Sequence, residues 1–336
     1  MSDKQKLEQI LHIFSGSSKR NVRLYFITKH LKEGVSRTEK VLNKYKYECI
    51  RVNIEDDLQE YFFNLLKNQL NSTISNDDIE FTEFEIIDDD LRDRVYTYAL
   101  NNASSFHDLL TNKMASGVDI PYVSSLMSIS DDLCAYSISI EDGECIRLIS
   151  FRKISKSKIA SEESKGIKTL FRPNDRRLIC AKGESINFDE KIDCVFFDGD
   201  FFVFHKKSFE NLAGLDDEYK EMAYNVLEEI AETELVFGLN LLIEEAGKSK
   251  LVAKQLAKFS KTGGHKNLNQ NRIEKMQELC VKLGLNLKID GGKIVIDDSK
   301  DAKLLIRLLD QYYVACMQTG DAFGSHAKTK IDIAKR

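Results

Sequence analysis

Two nearly continuous apolar runs, Ile192–Phe197 and Phe201–Phe204, meet at Asp198-Gly199. Asp-Gly between such runs predicts a tight β-hairpin, because a type I′ turn needs positive φ at both central residues. Five of the nineteen Phe lie in this hairpin and fall on both strand faces. Strands that are apolar on both faces belong in the middle of a covered sheet. Directly after them, Ser208 offers a helix cap and Glu210 a favourable charge in the first turn.

The same reading extends along the chain. Leu7, Ile10, Leu11 and Phe14 share one face of a short helix within residues 1–20, and Val22–Ile27 and Glu48–Ile54 read as strands. Leu58, Tyr61, Phe62, Leu65 and Leu66 form the stripe of a helix over Leu58–Leu70. Ile79–Ile87 alternates like a strand, and Asp88-Asp89-Asp90 is placed to cap a helix near Leu91–Leu100. A short helix is expected at Ala103–Ala115. A second Asp-Gly hairpin pairs Leu133–Ile140 with Glu144–Phe151, and short strands follow at Leu178–Ala181 and Ser185–Phe188. Beyond Ser208 the period changes to 3.6. Helices are predicted at Asp216–Ala231, Leu235–Glu245, Ser249–Ser260, Asn269–Leu283 and Lys300–Leu309. A hairpin around Asp290-Gly291-Gly292 interrupts them, and Tyr312–Met317 is a closing apolar segment. The sum is an α+β protein, with an N-terminal α/β region over 1–127 and antiparallel hairpins packed with a helical C-terminal region over 128–336.

Composition changes this picture little, since 42% hydrophobic and 31% charged residues in a chain of 336 is ordinary globular usage. The longest apolar run, Leu235–Ile243, is too short to cross a bilayer, and Met1-Ser2-Asp3-Lys4 lacks the apolar core of a signal peptide, so a cytoplasmic protein is expected. Seven scattered Cys without a Cys-x-x-Cys pair read as reduced, buried thiols. Charge matters more. The net charge is −5, yet residues 248–336 hold 18 basic and 9 acidic residues, and residues 152–182 hold 10 and 3. Residues 55–93, by contrast, hold 2 basic and 13 acidic. Such segregation allows a basic, anion-binding face despite the acidic total.

No catalytic constellation, metal set or cofactor motif emerges. The glycine-rich pieces lack the Walker and Rossmann spacings. Asp189-Glu190-Lys191 with Asp175, Asp193, Asp198 and Asp200 is the one arrangement that suggests a magnesium nuclease, which needs two or three convergent carboxylates and a Lys near the phosphate. The basic residues support nucleic-acid binding. Lys250, Lys254, Lys258 and Lys261 recur on one side of a helix whose other side is apolar. Lys206 and Lys207 end the central hairpin, and Arg172, Arg176 and Arg177 lie in the basic stretch. With no base-reading helix, contacts to the phosphate backbone are expected. A scaffold whose acidic and basic faces bind protein is a third reading.

From Asp193 to Glu210 the order of apolar strand, Asp-Gly turn, apolar strand, Lys206-Lys207 and a helix containing Phe209-Glu210 resembles the KwaB-like proteins of the Kiwa anti-phage defence system. The likeness extends from about Leu133 to about Ile331 and includes the closing Tyr312-Tyr313. It implies a cytoplasmic defence protein that self-associates as a homodimer or higher homo-oligomer, binds DNA and works with a membrane-embedded partner. No active site is carried over from the resemblance, because no catalytic motif of that family is recognised in the chain.

Overall fold

The computed structural model describes residues 2–14, 21–36, 45–85, 93–102, 104–114, 120–142, 145–155, 159–160, 169–172, 177–180, 185–315 and 322–324. The chain divides into two compact units, one of residues 1–85 with 89–215, the other of residues 216–336 with 86–88.

The first unit contains α1 (Asp3–Ile13), β1 (Asn21–Leu31), β2 (Tyr45–Val52), α2 (Asp56–Ile74), β3 (Glu80–Glu83), β4 (Arg94–Ala99), α3 (Ser104–Asp108), β5 (Leu133–Asp142) and β6 (Cys145–Lys153). It continues through β7 (Ile159–Ala160), β8 (Thr169–Arg172), β9 (Arg177–Cys180), β10 (Ser185–Ile186), β11 (Cys194–Phe197), β12 (Asp200–Val203) and α4 (Lys206–Ala213). Eight strands make one sheet in the order β2-β1-β5-β6-β11-β12-β4-β3, with β7–β10 and β8–β9 as separate two-stranded ladders. Pairing in the large sheet is antiparallel except between β3 and β4.

The β11–β12 hairpin is interior to that sheet, and its turn has the expected conformation, φ +50° at Asp198 and +85° at Gly199. Both faces are covered. On one face Val195 and Phe202 join Phe62, Leu66 and Leu70 of α2 and Leu7 and Ile10 of α1 in a single apolar cluster. On the other, Phe201 meets Phe106 of α3 and Phe209 of α4, with ring centroids 5.6 and 5.2 Å apart. Edge-on and tilted aromatic pairs of this kind add to the stabilisation that burial alone supplies.

Three expectations change here. Within the helix expected near Leu91–Leu100, Arg94–Ala99 is strand β4. Val95 and Tyr96 both fall below 3% exposure, on opposite sheet faces, a burial that one helix stripe cannot give. β4 also supplies β12 with its second neighbour, pairing Val203 with Tyr96. The helix after the hairpin begins at Lys206, with His205 at the cap position and no side-chain cap bond, so Ser208 lies within the first turn and Glu210 one turn in. The chain is tied there because the Asp193 carbonyl accepts from both Phe204 and His205 amides. The division expected at residue 127 falls inside the first unit: β1 pairs with β5 along Asn21–Thr28, so strands from both sides of it share one sheet. Asp88-Asp89-Asp90 lies outside the described residues.

The second unit comprises α5 (Asp216–Glu232), β13 (Val236–Phe237), α6 (Leu239–Lys248), α7 (Lys250–Thr262), α8 (Gln270–Leu283), β14 (Ile289–Asp290), β15 (Lys293–Val295), α9 (Ser299–Leu309), β16 (Tyr313–Ala315) and β17 (Ala322–Gly324). Its start and stop signals match its sequence. Ser249, Asn269 and Asp298 cap α7, α8 and α9 through their side chains, and Gly263 and Gly284 end α7 and α8 in the left-handed region. The helix expected from Leu235 instead starts at Leu239, because Val236–Phe237 pairs in parallel with β15. Gly238 makes that switch with φ +78°, where a Cβ would collide with the Ile296 carbonyl.

Candidate nucleic-acid interface

α7 carries the largest set of expected contacts. Its Val252, Leu256 and Phe259 are buried, as the period predicts. Lys250, Lys254 and Lys258 are half-buried and only Lys261 is exposed, while Leu251 on the same helix is 67% exposed. The lysine row therefore leans on its neighbour and does not stand clear in water. The Lys250 and Lys254 ammonium groups lie 5.9 and 5.3 Å from the ring centre of Tyr219 on α5. Long cationic side chains behave this way when stems pack and heads reach solvent, and the ring face adds a cation–π attraction. None of the four is without a partner.

The first unit holds the remaining candidates. Lys207 is exposed, but Lys206 is fully buried. Its Nζ donates to the Glu85 carbonyl and stands 4.8 and 5.2 Å from the ring centres of Phe84 and Tyr96. Its ammonium is consumed by its own chain, so Lys206 cannot reach a phosphate. Arg172 and Arg177 are backbone register partners in the β8–β9 ladder, and Arg176 lies outside the described residues.

Sequence reasoning placed Arg152 in the basic stretch, and here it has a different role. Its guanidinium grips Asp189 at 3.0 and 3.1 Å and the fully buried Asp193 by a shorter contact. The Lys153 amide donates to the other Asp193 oxygen at 2.7 Å. Burial pushes the Asp193 carboxyl above its ordinary range, and the Lys153 amide and Arg152 draw it back. The only sequence signal for this pairing was the lone Asp193 inside an apolar run.

That network also takes apart the nuclease arrangement. Asp189 and Asp193 hold Arg152, Asp200 accepts from Lys6 at 2.5 Å, and Asp198 forms the turn. Asp175 is outside the described residues. Among the described residues no three His, Cys, Asp or Glu side chains converge in a way that could hold a metal ion. Burial pushes the Cys49 and Cys134 thiols up to about 12, far from a reactive thiolate. No helix of the described residues is long and apolar enough to cross a membrane.

A family model described as Kiwa protein KwaB-like matches residues 130–317. The match begins just before β5 and takes in β11, β12 and the second unit through β16, whereas β1 to β4, which complete the sheet, precede it. No curated protein and no solved structure matches the chain.

Proposed function

The chain belongs to the KwaB-like family of Kiwa proteins, an anti-phage defence family, and from that premise we propose that it is the system's DNA-binding component, held to duplex backbone by α7. The observation that carries this reading is the row of four lysines on one capped helix, Lys250 to Lys261. At 1.5 Å per residue the row is about 16 Å long, a length of duplex axis over which one strand presents about five phosphates. Tyr219 restrains two of the ammonium groups and lowers the entropy lost on contact. Lys207 and the Arg172, Arg176 and Arg177 group are further contacts in this proposal. Affinity then depends on charge and salt and little on sequence.

The test replaces all four α7 lysines by Gln, which keeps most of each stem against Tyr219. Gel shifts on two unrelated duplexes should weaken together by tenfold or more at 150 mM salt. The salt slope of log affinity should fall by up to about 3.6, at about 0.9 per phosphate contact. A folded variant that keeps both wild-type affinity and wild-type slope would show that α7 faces something else. Cleavage of duplex in magnesium by the wild-type chain would favour a nuclease instead.

Self-association and a membrane-embedded partner belong to the same proposal. The acidic residues 55–93 and basic residues 248–336 give one copy surfaces complementary to another. Light scattering should find a dimer or larger species at micromolar concentration, and the chain should move to the membrane fraction only when its partner is co-expressed. A monomer in low salt, or membrane recovery of the chain alone, contradicts it.

A further inference from the structure

Away from the candidate DNA contacts, the first unit has an open cleft of about 650 Å³ between one face of α2 and the chain flanking the β11–β12 hairpin. That size is ordinary for a small-molecule site. The α2 wall presents Tyr61, Asn64 and Asn68, which share one face at three- and four-residue steps while Phe62, Leu66 and Leu70 turn into the core. The facing wall presents Glu190, Lys191 and His205. Gln69 ties the walls together, donating to the Ile192 carbonyl at 3.0 Å and accepting from the Ile192 amide at 2.7 Å. The cleft is therefore formed before anything enters it.

Its polar groups are unspent. Asn64, Asn68, Glu190, Lys191 and His205 are exposed, and within the described residues no side-chain hydrogen bond or ion pair occupies any of them. Their charges cancel. Glu190 stands next to Lys191 on one wall, and on the other Glu60 and Lys67 lie one turn to either side of Asn64. Asp56 and Asp57, further along α2, sit at the positive end of its dipole, which offsets them. The balance does not call on a charge at His205, whose ring can donate a hydrogen bond in either state.

A cleft of balanced charge selects neither an anion nor a cation. An apolar ligand would leave its polar groups desolvated and unpaired. What matches it is a neutral molecule whose groups donate and accept at once, as carboxamides do, and a hydroxyl is such a group. Position narrows the class. The free groups come from both walls, whereas a nucleobase presents its donors and acceptors along edges in one plane. A neutral peptide needs pockets for its side chains, and among the described residues Leu65 and Tyr61 are the apolar lining. Tyr61 is 41% exposed, so its electron-rich ring face is open to the C–H face of a sugar ring. We propose that this cleft binds a short neutral oligosaccharide. Tyr61 stacks on one ring, Asn64 and Asn68 bond to hydroxyls on one side, and on the other Glu190 accepts while Lys191 and His205 donate. The inference stands whether or not α7 meets DNA.

The experiment is isothermal titration calorimetry of the full chain with maltotriose, cellotriose, mannotriose and tri-N-acetylchitotriose. Trigalacturonate and the de-acetylated chitosan trimer serve as anionic and cationic counterparts. At least one neutral trisaccharide should bind in the millimolar range or tighter, with both charged ones at least tenfold weaker. Asn64→Ala with Asn68→Ala should weaken binding at least tenfold, and so should Tyr61→Ala, with an unchanged circular dichroism spectrum because all three residues are exposed. Tyr61→Phe keeps the ring and should stay within about twofold of wild type. No heat from any neutral trisaccharide at millimolar concentration overturns the proposal. A charged trimer that binds as tightly as the neutral ones, or a double Asn variant that binds like wild type, does the same. Binding of an oligothymidylate or of an alanine-glycine peptide that exceeds every trisaccharide and is lost in the double Asn variant overturns it in favour of a base or a main chain.

Discussion

Arg152 and Lys206 in the first unit are surrounded by their own chain, whereas Lys250, Lys254, Lys258 and Lys261 in the second lie along the flank of one helix. All six are cations in basic stretches of sequence. The sheet unit places its cations at strand ends, where the chain turns and main-chain carbonyls or carboxylates would otherwise be buried without partners. The helical unit meets that need with caps, with Gly263 and Gly284, and with Arg272 of α8, whose guanidinium donates to the Gly264 and Leu309 carbonyls, and not with the lysines of α7. Its lysines are therefore left at the rim of a packed face, partly wet. A count of positive charge does not separate these two uses, but the local secondary structure does.

The sharpest way to break this contrast is to remove a cation from the sheet unit. Arg152→Ala would leave Asp193 buried with only the Lys153 amide, and a buried charge stripped of its partner costs about 3–5 kcal/mol. Urea unfolding should show a loss of that order, and adding Asp193→Ala should recover part of it, because the orphaned charge is then gone. A loss below about 1 kcal/mol would mean that the network is no more than a surface pair. The fourfold Lys→Gln change in α7 should cost far less stability while costing much more DNA affinity. The two variants therefore cross in their effects.

The same contrast explains what was legible in the sequence. The β11–β12 hairpin, the β5–β6 hairpin, the helices of the second unit and their caps follow from Asp-Gly turns, period 3.6 and side-chain capping, which are local signals. The strand β4 was not legible, because Arg94–Ala99 becomes a strand only when β12 and β3 flank it. Non-local pairing overrides a weak local pattern. Lys206 and Lys207 are adjacent and chemically identical, yet one is buried under Phe84 and Tyr96 and the other is exposed. Nothing in the pair itself distinguishes them; the start of α4, one residue after His205, decides which enters the core.

A smaller effect sharpens the comparison from the acidic side. Asp193 of the first unit is buried against a guanidinium, but Glu218 on α5 is partly buried with Glu221 as its nearest charge of note, and burial followed by that like charge pushes its carboxyl up to about 7. Below about pH 4.3, the ordinary Glu value, folded and unfolded chains are both protonated here and the group contributes nothing. Between that pH and about 7 the folded chain binds more protons than the unfolded one, so stability falls as pH rises, and above 7 the full cost is present. Glu218→Gln removes the ionisation. With part of the side chain in water to screen the charge, the variant should be about 1–2 kcal/mol more stable than wild type at pH 8 and equal to it at pH 4. Paired thermal melts at the two pH values measure this directly. A gain of the same size at both would trace the effect to packing and not to charge.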